Sequence, residues 1–141
     1  LNYAQMKVTF RTNTFGPALV LAHFAPLLPK QERGLLAVLS AKVGSIGDNR
    51  LGGWYSYRAS KAALNMLVKT ASIEVARTHP QAVLVALHPG TVNSALSAPF
   101  NGAEIGRPAA DAAGDMLRVL DGMPVEETGG FYAYSGDKLP W

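Results

Sequence analysis

Tyr57 and Lys61 stand four residues apart. On a helix that spacing sends both side chains out of one face, close enough to influence each other. A phenol with an ordinary pKa near ~10 is a poor acid-base catalyst at neutral pH, but a neighbouring ammonium favours the phenolate and brings it nearer the working range. Tyr57 could then exchange a proton with an alcohol or carbonyl oxygen. Other chemistries are poorly supplied. With Cys 0 the chain has no thiolate nucleophile, no disulfide framework and no cysteine zinc site. His23, His79 and His88 are widely separated and show no paired spacing such as HExxH, so metal binding is not expected and packing or surface roles fit them better.

A YxxxK spacing occurs on many solvated helices, so its meaning depends on the elements around it. From about Tyr3 to Leu28 the apolar residues Phe15, Leu19, Phe24 and Leu28 follow helical spacing, and Pro29 closes the segment. Pro17 lies inside this helix and has no amide hydrogen to give the carbonyl of Asn13, which is left free to accept from something else. Gly34 to Ser40 reads as a strand buried on both faces, and the glycine-rich stretch Ala41 to Gly53 reads as a loop at its carboxyl end. A second helix runs from Trp54 to about His79, and Ala82 to His88 forms a second buried strand ended by Pro89-Gly90. Thr91 to Gly106 is irregular. Pro108 fits the first turn of a third helix reaching about Leu120, and Gly129 to Ser135 reads as a third strand. Alternating helices and strands predict an α/β fold with a parallel sheet, and such sheets bind ligands at the carboxyl ends of their strands. Tyr57 and Lys61 open a helix at that end.

The composition excludes some classes of partner. At 141 residues and 48% hydrophobic content the chain can bury one core. Its net charge of +3 comes from scattered Lys and Arg with no basic run, so no nucleic-acid partner is expected. The longest apolar stretch, Gly16 to Pro29, is broken by His23 and three prolines, too short for a membrane span or a signal segment, and a cytoplasmic protein is expected. The first residue is Leu1 and not methionine, and helical sequence follows almost at once, so an upstream portion is expected.

The string Tyr57-Arg-Ala-Ser-Lys61-Ala-Ala-Leu-Asn65 resembles the signature of the short-chain dehydrogenase/reductase family. So do Asn13-Thr-Phe-Gly-Pro17 before it and Pro89-Gly90-Thr91-Val92 after it, in the same order and spacing. The Val43 to Gly47 loop, the Gly52-Gly53-Trp54-Tyr55 approach and the Leu139-Pro140-Trp141 end are similar to the carbonyl reductases of the C-factor and Sniffer type. The resemblance covers essentially the whole chain and implies an NAD(P)-dependent oxidoreductase acting on a small carbonyl or alcohol substrate. It implies that Tyr57 is the general acid and also touches the cofactor, that Lys61 lowers its pKa and holds the nicotinamide ribose, and that Asn13 supports a water in the proton relay. Pro89, Gly90, Thr91 and Val92 would meet the nicotinamide carboxamide, Ser94 would place a hydroxyl near the cofactor, and the segment 95–105 would cover the substrate. NADP is expected in preference to NAD, although the residues that choose between them are not in this chain. A homodimer through helices 3–28 and 54–79 is implied as well.

Two departures stand out. The family's catalytic serine, the second of a Ser-Ser pair, aligns with Ala41, the first with Ser40. Ser40 would point to the other face of a regular strand. Either a local irregularity turns Ser40 into the site, or Ser45 substitutes from the loop, or the site works without a serine. Losing one oxygen-stabilising donor costs roughly 2–4 kcal/mol of transition-state stabilisation. The second departure is the absence of any TGxxxGxG loop, so residues 1–141 read as a single partial domain, the C-terminal half of a doubly wound sheet without the dinucleotide-binding half. The alternative reading is a non-catalytic interaction or cell-signalling module derived from the same fold.

Overall fold

The computed structural model describes residues 1–95, 97–98 and 102–141. Leucine, valine and alanine run almost unbroken from Ala82 to His88, and this segment is β2, the middle strand of a parallel sheet ordered β1-β2-β3. β1 (Gly34–Leu39) pairs with it from Gly34 opposite Ala82 to Leu39 opposite Leu87. β3 (Phe131–Ala133) pairs on the other side, Ala86 opposite Phe131. Strand alternation divides the core into two layers. Leu84 and Ala86 join Val38, Leu64, Val68 and Phe131 on one face. Val83, Val85 and Leu87 join Met123 and Tyr132 on the other. Leu64 and Leu84 are completely buried, each contributing about 1.5–3 kcal/mol relative to an exposed side chain.

The first face is covered by α3 (Tyr55–Ala76) and by the helices before β1. Those helices form a broken rod: α1 (Tyr3–Phe10), a π-helical turn over Arg11–Phe15, then α2 (Gly16–Phe24). The single helix expected over 3–28 is interrupted because Pro17 gives no amide hydrogen, and the chain widens one turn ahead of it, with the Gly16 N–H reaching back to the Arg11 carbonyl. Across the sheet, α5 (Ala109–Asp121) lays Met116, Val119 and Leu120 on the second face. Pro108 sits just ahead of α5 as its N-cap, one position before the place the sequence suggested. Arg33 closes the other end of α5, donating from Nη2 to the carbonyls of Leu120, Asp121 and Met123. The short α4 (Gly102–Ile105) ends the segment expected to cover a substrate, of which Leu96, Pro99, Phe100 and Asn101 lie outside the described residues.

Strand three is shorter than the sequence suggested. Gly129 has a positive φ and gives its N–H to the Leu84 carbonyl, Gly130 bonds back to Glu127, and Ala133 already turns onto Asp137, so only three residues keep the ladder. No helix among the described residues is long and apolar enough to cross a membrane, and no group of three or more His, Cys, Asp or Glu among them could hold a metal ion.

Candidate active site

At the carboxyl end of β1 the chain leaves the sheet over the first turns of α3. Gly44 is the point of closest approach: a Cβ there would lie 2.7 Å from Lys61 Cβ and 2.8 Å from the Lys61 carbonyl carbon. Only glycine lets the loop press so closely on the helix. Lys61 extends back under the strand end and donates from Nζ to the Leu39 carbonyl at 3.0 Å. Ser40 continues the ladder, its N–H on the Leu87 carbonyl, and its buried hydroxyl donates to Asn65 Oδ1 at 2.6 Å. Ala41 is buried beside it. The Ser45 hydroxyl accepts from the Asp48 N–H and reaches the Trp141 carbonyl. Among the described residues neither serine hydroxyl bonds Tyr57.

The approach to α3 is left-handed for three residues in a row, Gly52 (φ 64°), Gly53 (φ 69°) and Trp54 (φ 49°, ψ 40°). For the two glycines this conformation is free of steric cost, but for Trp54 it costs roughly 1–2 kcal/mol. Arg58 holds the turn: its Nε donates to the Gly52 and Gly53 carbonyls at 3.1 Å each, Nη1 to the Val43 carbonyl at 3.3 Å, and the guanidinium lies 5.9 Å from the Trp54 ring centroid. Asn49 adds its Oδ1 as acceptor for the Gly52 N–H.

The π-helical turn meets α3 at the same level. Asn13 Nδ2 donates to Ser60 Oγ at 3.1 Å, Ser60 Oγ donates to the Tyr57 carbonyl at 2.8 Å, and Thr14 Oγ1 donates to the Ser60 carbonyl. Asn13 is thus tied to the helical turn that bears Tyr57. Beyond β2, Gly90 (φ 76°) packs against the Tyr134 ring, whose Cε1 would stand 2.7 Å from a Cβ at that position. Arg107 pairs alongside: its N–H bonds the Thr91 carbonyl, its carbonyl accepts from Asn93, and its guanidinium stacks on Tyr134 while paired with Asp115. The Thr91 and Val92 amides bond no other described residue, which leaves donors that a carboxamide oxygen could use. Ser97 Oγ donates to the Val92 carbonyl and accepts from the Ser94 N–H.

Between these walls lies a cleft of about 640 Å³. It brings Tyr57 together with Gly90, Thr91, Val92 and Ser94, and Trp54 and Tyr55 line it too. Lys61, Asn13, Pro89 and Ser40 stand outside its lining. A family model for short chain dehydrogenases matches residues 1–104. The chain belongs to the short-chain dehydrogenase family. It is 38% identical to the C-signal protein of Myxococcus xanthus over 142 residues, covering all of this chain and 81% of that protein. It is 33% identical to the 1-hydroxy-2-glutathionyl-2-methyl-3-butene dehydrogenase of Rhodococcus sp., again over the whole chain but 61% of the relative. Among solved structures, the carbonyl reductase Sniffer of D. melanogaster superimposes with a TM-score of 0.87 at 27% identity, covering 100% of this chain and 59% of that one. The NADPH-bound carbonyl reductase from chicken fatty liver gives 0.84 at 31% identity, with 59% of that chain covered. The sequence is thus a short-chain dehydrogenase of the C-factor and Sniffer type, and spans about three fifths of the length of these last three relatives.

Within this short-chain dehydrogenase site the electrostatics differ from the expectation. Spacing alone predicts that Lys61 pulls the Tyr57 pKa down. Instead burial pushes the Tyr57 phenol up, and burial pushes the Lys61 ammonium down. The lysine head is spent on a backbone carbonyl, and both groups lose water that would stabilise their charged forms. At the end of β2, burial and the positive charge of Lys42 both lower the pKa of His88. Sequence reasoning missed Arg58 and Ser60, although both lie inside the quoted signature, because their use depends on partners distant in sequence or on loop geometry. It also missed Arg107, whose only signal was its place just before Pro108.

Proposed function

We propose that this chain provides the nicotinamide and substrate end of an NAD(P)-dependent oxidoreductase that interconverts a small carbonyl compound and a secondary alcohol. The observation that carries the reading is the cleft uniting Tyr57 with Gly90, Thr91, Val92 and Ser94, with Lys61 one helical turn behind it. When bound, the nicotinamide supplies a hydride to the carbonyl carbon. Tyr57 Oη gives a proton to the carbonyl oxygen in reduction and takes one from the hydroxyl in oxidation. Lys61 would turn from the Leu39 carbonyl to the ribose hydroxyls, and Asn13 would hold a water for the proton's return to solvent. Pro89 to Val92 would take the carboxamide, and Ser94 would lie beside it. NADP is the favoured cofactor, in keeping with the NADPH-bound relative. The active form is a homodimer, and the protein works in the cytoplasm.

A second reading has an observation of its own. Ala41 stands where the family places a serine, and Ser40 is engaged with Asn65, which favours a non-catalytic interaction or signalling module on the same fold. Calorimetric titration of NADH and NADPH into the chain separates the two. The enzyme reading expects saturable binding that Lys61→Ala weakens about tenfold or more, since a hydrogen bond from a charged group contributes about 1.5–3 kcal/mol. Tyr57→Phe, which keeps the ring and removes only the hydroxyl, should weaken that binding less. A folded sample that binds neither nucleotide overturns the enzyme reading for this chain and favours the module.

A further inference from the structure

The cleft has an aromatic wall whose backbone is left-handed, and Arg58 is among the groups that anchor it. Trp54 is the sole non-glycine residue at positive φ among the described residues. A strained conformation of this kind persists only where the surroundings over-determine it. Here they do so through Arg58, whose fork spans the Gly52, Gly53 and Val43 carbonyls. A Cβ at Gly52 or Gly53 would meet nothing within 4 Å, so those glycines serve the backbone angle and not a close packing. The result is that Trp54, 59% exposed, and Tyr55 line the same cleft as Tyr57 and Thr91. No Asp, Glu, Lys or Arg side chain is among the described residues lining it.

We infer that Arg58 is a positioning residue for substrate choice: by locking the Gly52-Gly53-Trp54 turn it sets an aromatic wall that selects uncharged, ring-bearing carbonyl compounds. The inference rests on the oxidoreductase reading for the word substrate, but its physical content is a ligand preference that exists without turnover. An aromatic ring placed against Trp54 gains from face and edge contacts that a saturated ring of similar size cannot make. A carboxylate brought into the cleft loses hydration and meets no Lys or Arg side chain among the described residues lining it. Arg58 acts through geometry, because the planar fork reaches three carbonyls and a lysine head cannot.

The test is titration of the chain with acetophenone, cyclohexyl methyl ketone and benzoylformate, followed by the Trp54 indole N–H resonance, assigned with Trp54→Phe. The wild type is expected to bind acetophenone about three- to tenfold more tightly than the saturated ketone, and benzoylformate more weakly still. Arg58→Lys should erase the ring preference although the charge remains. Gly53→Ala, which strains the turn without filling any space, should erase it by a separate route if Arg58→Lys fails to fold. Tyr57→Phe should keep the preference while abolishing turnover. Equal affinities for the two neutral ketones, no ketone binding at all, or a ring preference that survives both Arg58→Lys and Gly53→Ala would overturn the inference. Ring-selective binding with no turnover by any nicotinamide would leave it standing and sink the oxidoreductase reading alone.

Discussion

Burial raises the pKa of Tyr57 above the ordinary 10.0, so the protonated phenol is the form present across the neutral range. That form can give a proton but cannot take one. Carbonyl reduction should therefore hold a level rate from about pH 6 to about pH 9 and fall only as the phenol ionises, whereas alcohol oxidation should climb with pH over the same span. Rate profiles in both directions, with Tyr57→Phe as the inactive control, check this. A reduction rate that falls near neutrality would mean that Lys61, once released from the Leu39 carbonyl, governs the phenol after all. Tyr57 and Gly90 to Val92, which line the cleft, could be singled out at this scale because they sit in short continuous strings whose types and spacing carry meaning; Lys61, in the same string as Tyr57, lies outside the lining. The setting of Ser40 was not legible, since a hydroxyl at a strand end finds its partner, Asn65, in another element. The Tyr57 and Lys61 ionisation was misread for a related reason: spacing records which groups are near, while burial and the Leu39 carbonyl depend on the packed molecule.

Elements were legible where hydrophobic period and punctuation agree. β2, α3 and α5 follow from unbroken apolar runs or helical rows bounded by Pro80, Pro89 and Pro108. The break in the first helix was half legible: Pro17 announces a flaw, but a widened turn at Arg11–Phe15 is only one of the ways to absorb it. What joins the elements at the site is Gly44, and that contact gives a prediction. Gly44→Ala would drive a methyl into Lys61, costing about 1–3 kcal/mol as overpacking. In a domain of this size each kcal/mol lowers the thermal midpoint by roughly 2–4 °C. Gly114→Ala is the contrasting case, since nothing lies within 4 Å of the added Cβ and α5 gains a better helix former, so its midpoint should rise. Thermal unfolding followed by circular dichroism measures both. A Gly44→Ala protein as stable as wild type would show that the loop does not rest on α3 as described.

The helices over the first face carry apolar side chains on their outer side as well. Phe15, Leu19 and Phe24 are each more than half exposed, and on α3 so are Met66 and Ile73. A second copy laid across this surface would remove them from water, and size-exclusion chromatography with light scattering should therefore report a dimer for the wild type. Leu19→Asp with Phe24→Asp should yield a monomer with unchanged helical content, and a wild-type monomer would end the proposal. At this scale the parallel α/β architecture was legible from alternation alone, whereas the division of the core between two faces needed the register of β2. That register has a consequence for how the molecule assembles. Gly34 pairs with Ala82 and Ala86 with Phe131, so every ladder contact joins residues about forty-five or more positions apart. Local helices such as α3 can form in microseconds, but contacts of this span must wait for long loops to close. During synthesis, Tyr57 leaves the ribosome and enters a helix well before the strand that brings Gly90 and Val92 exists. The cleft accordingly appears only after β2 has joined the sheet, and a chain arrested before that step would hold the Tyr57 and Lys61 pair without the facing wall of Gly90 to Val92.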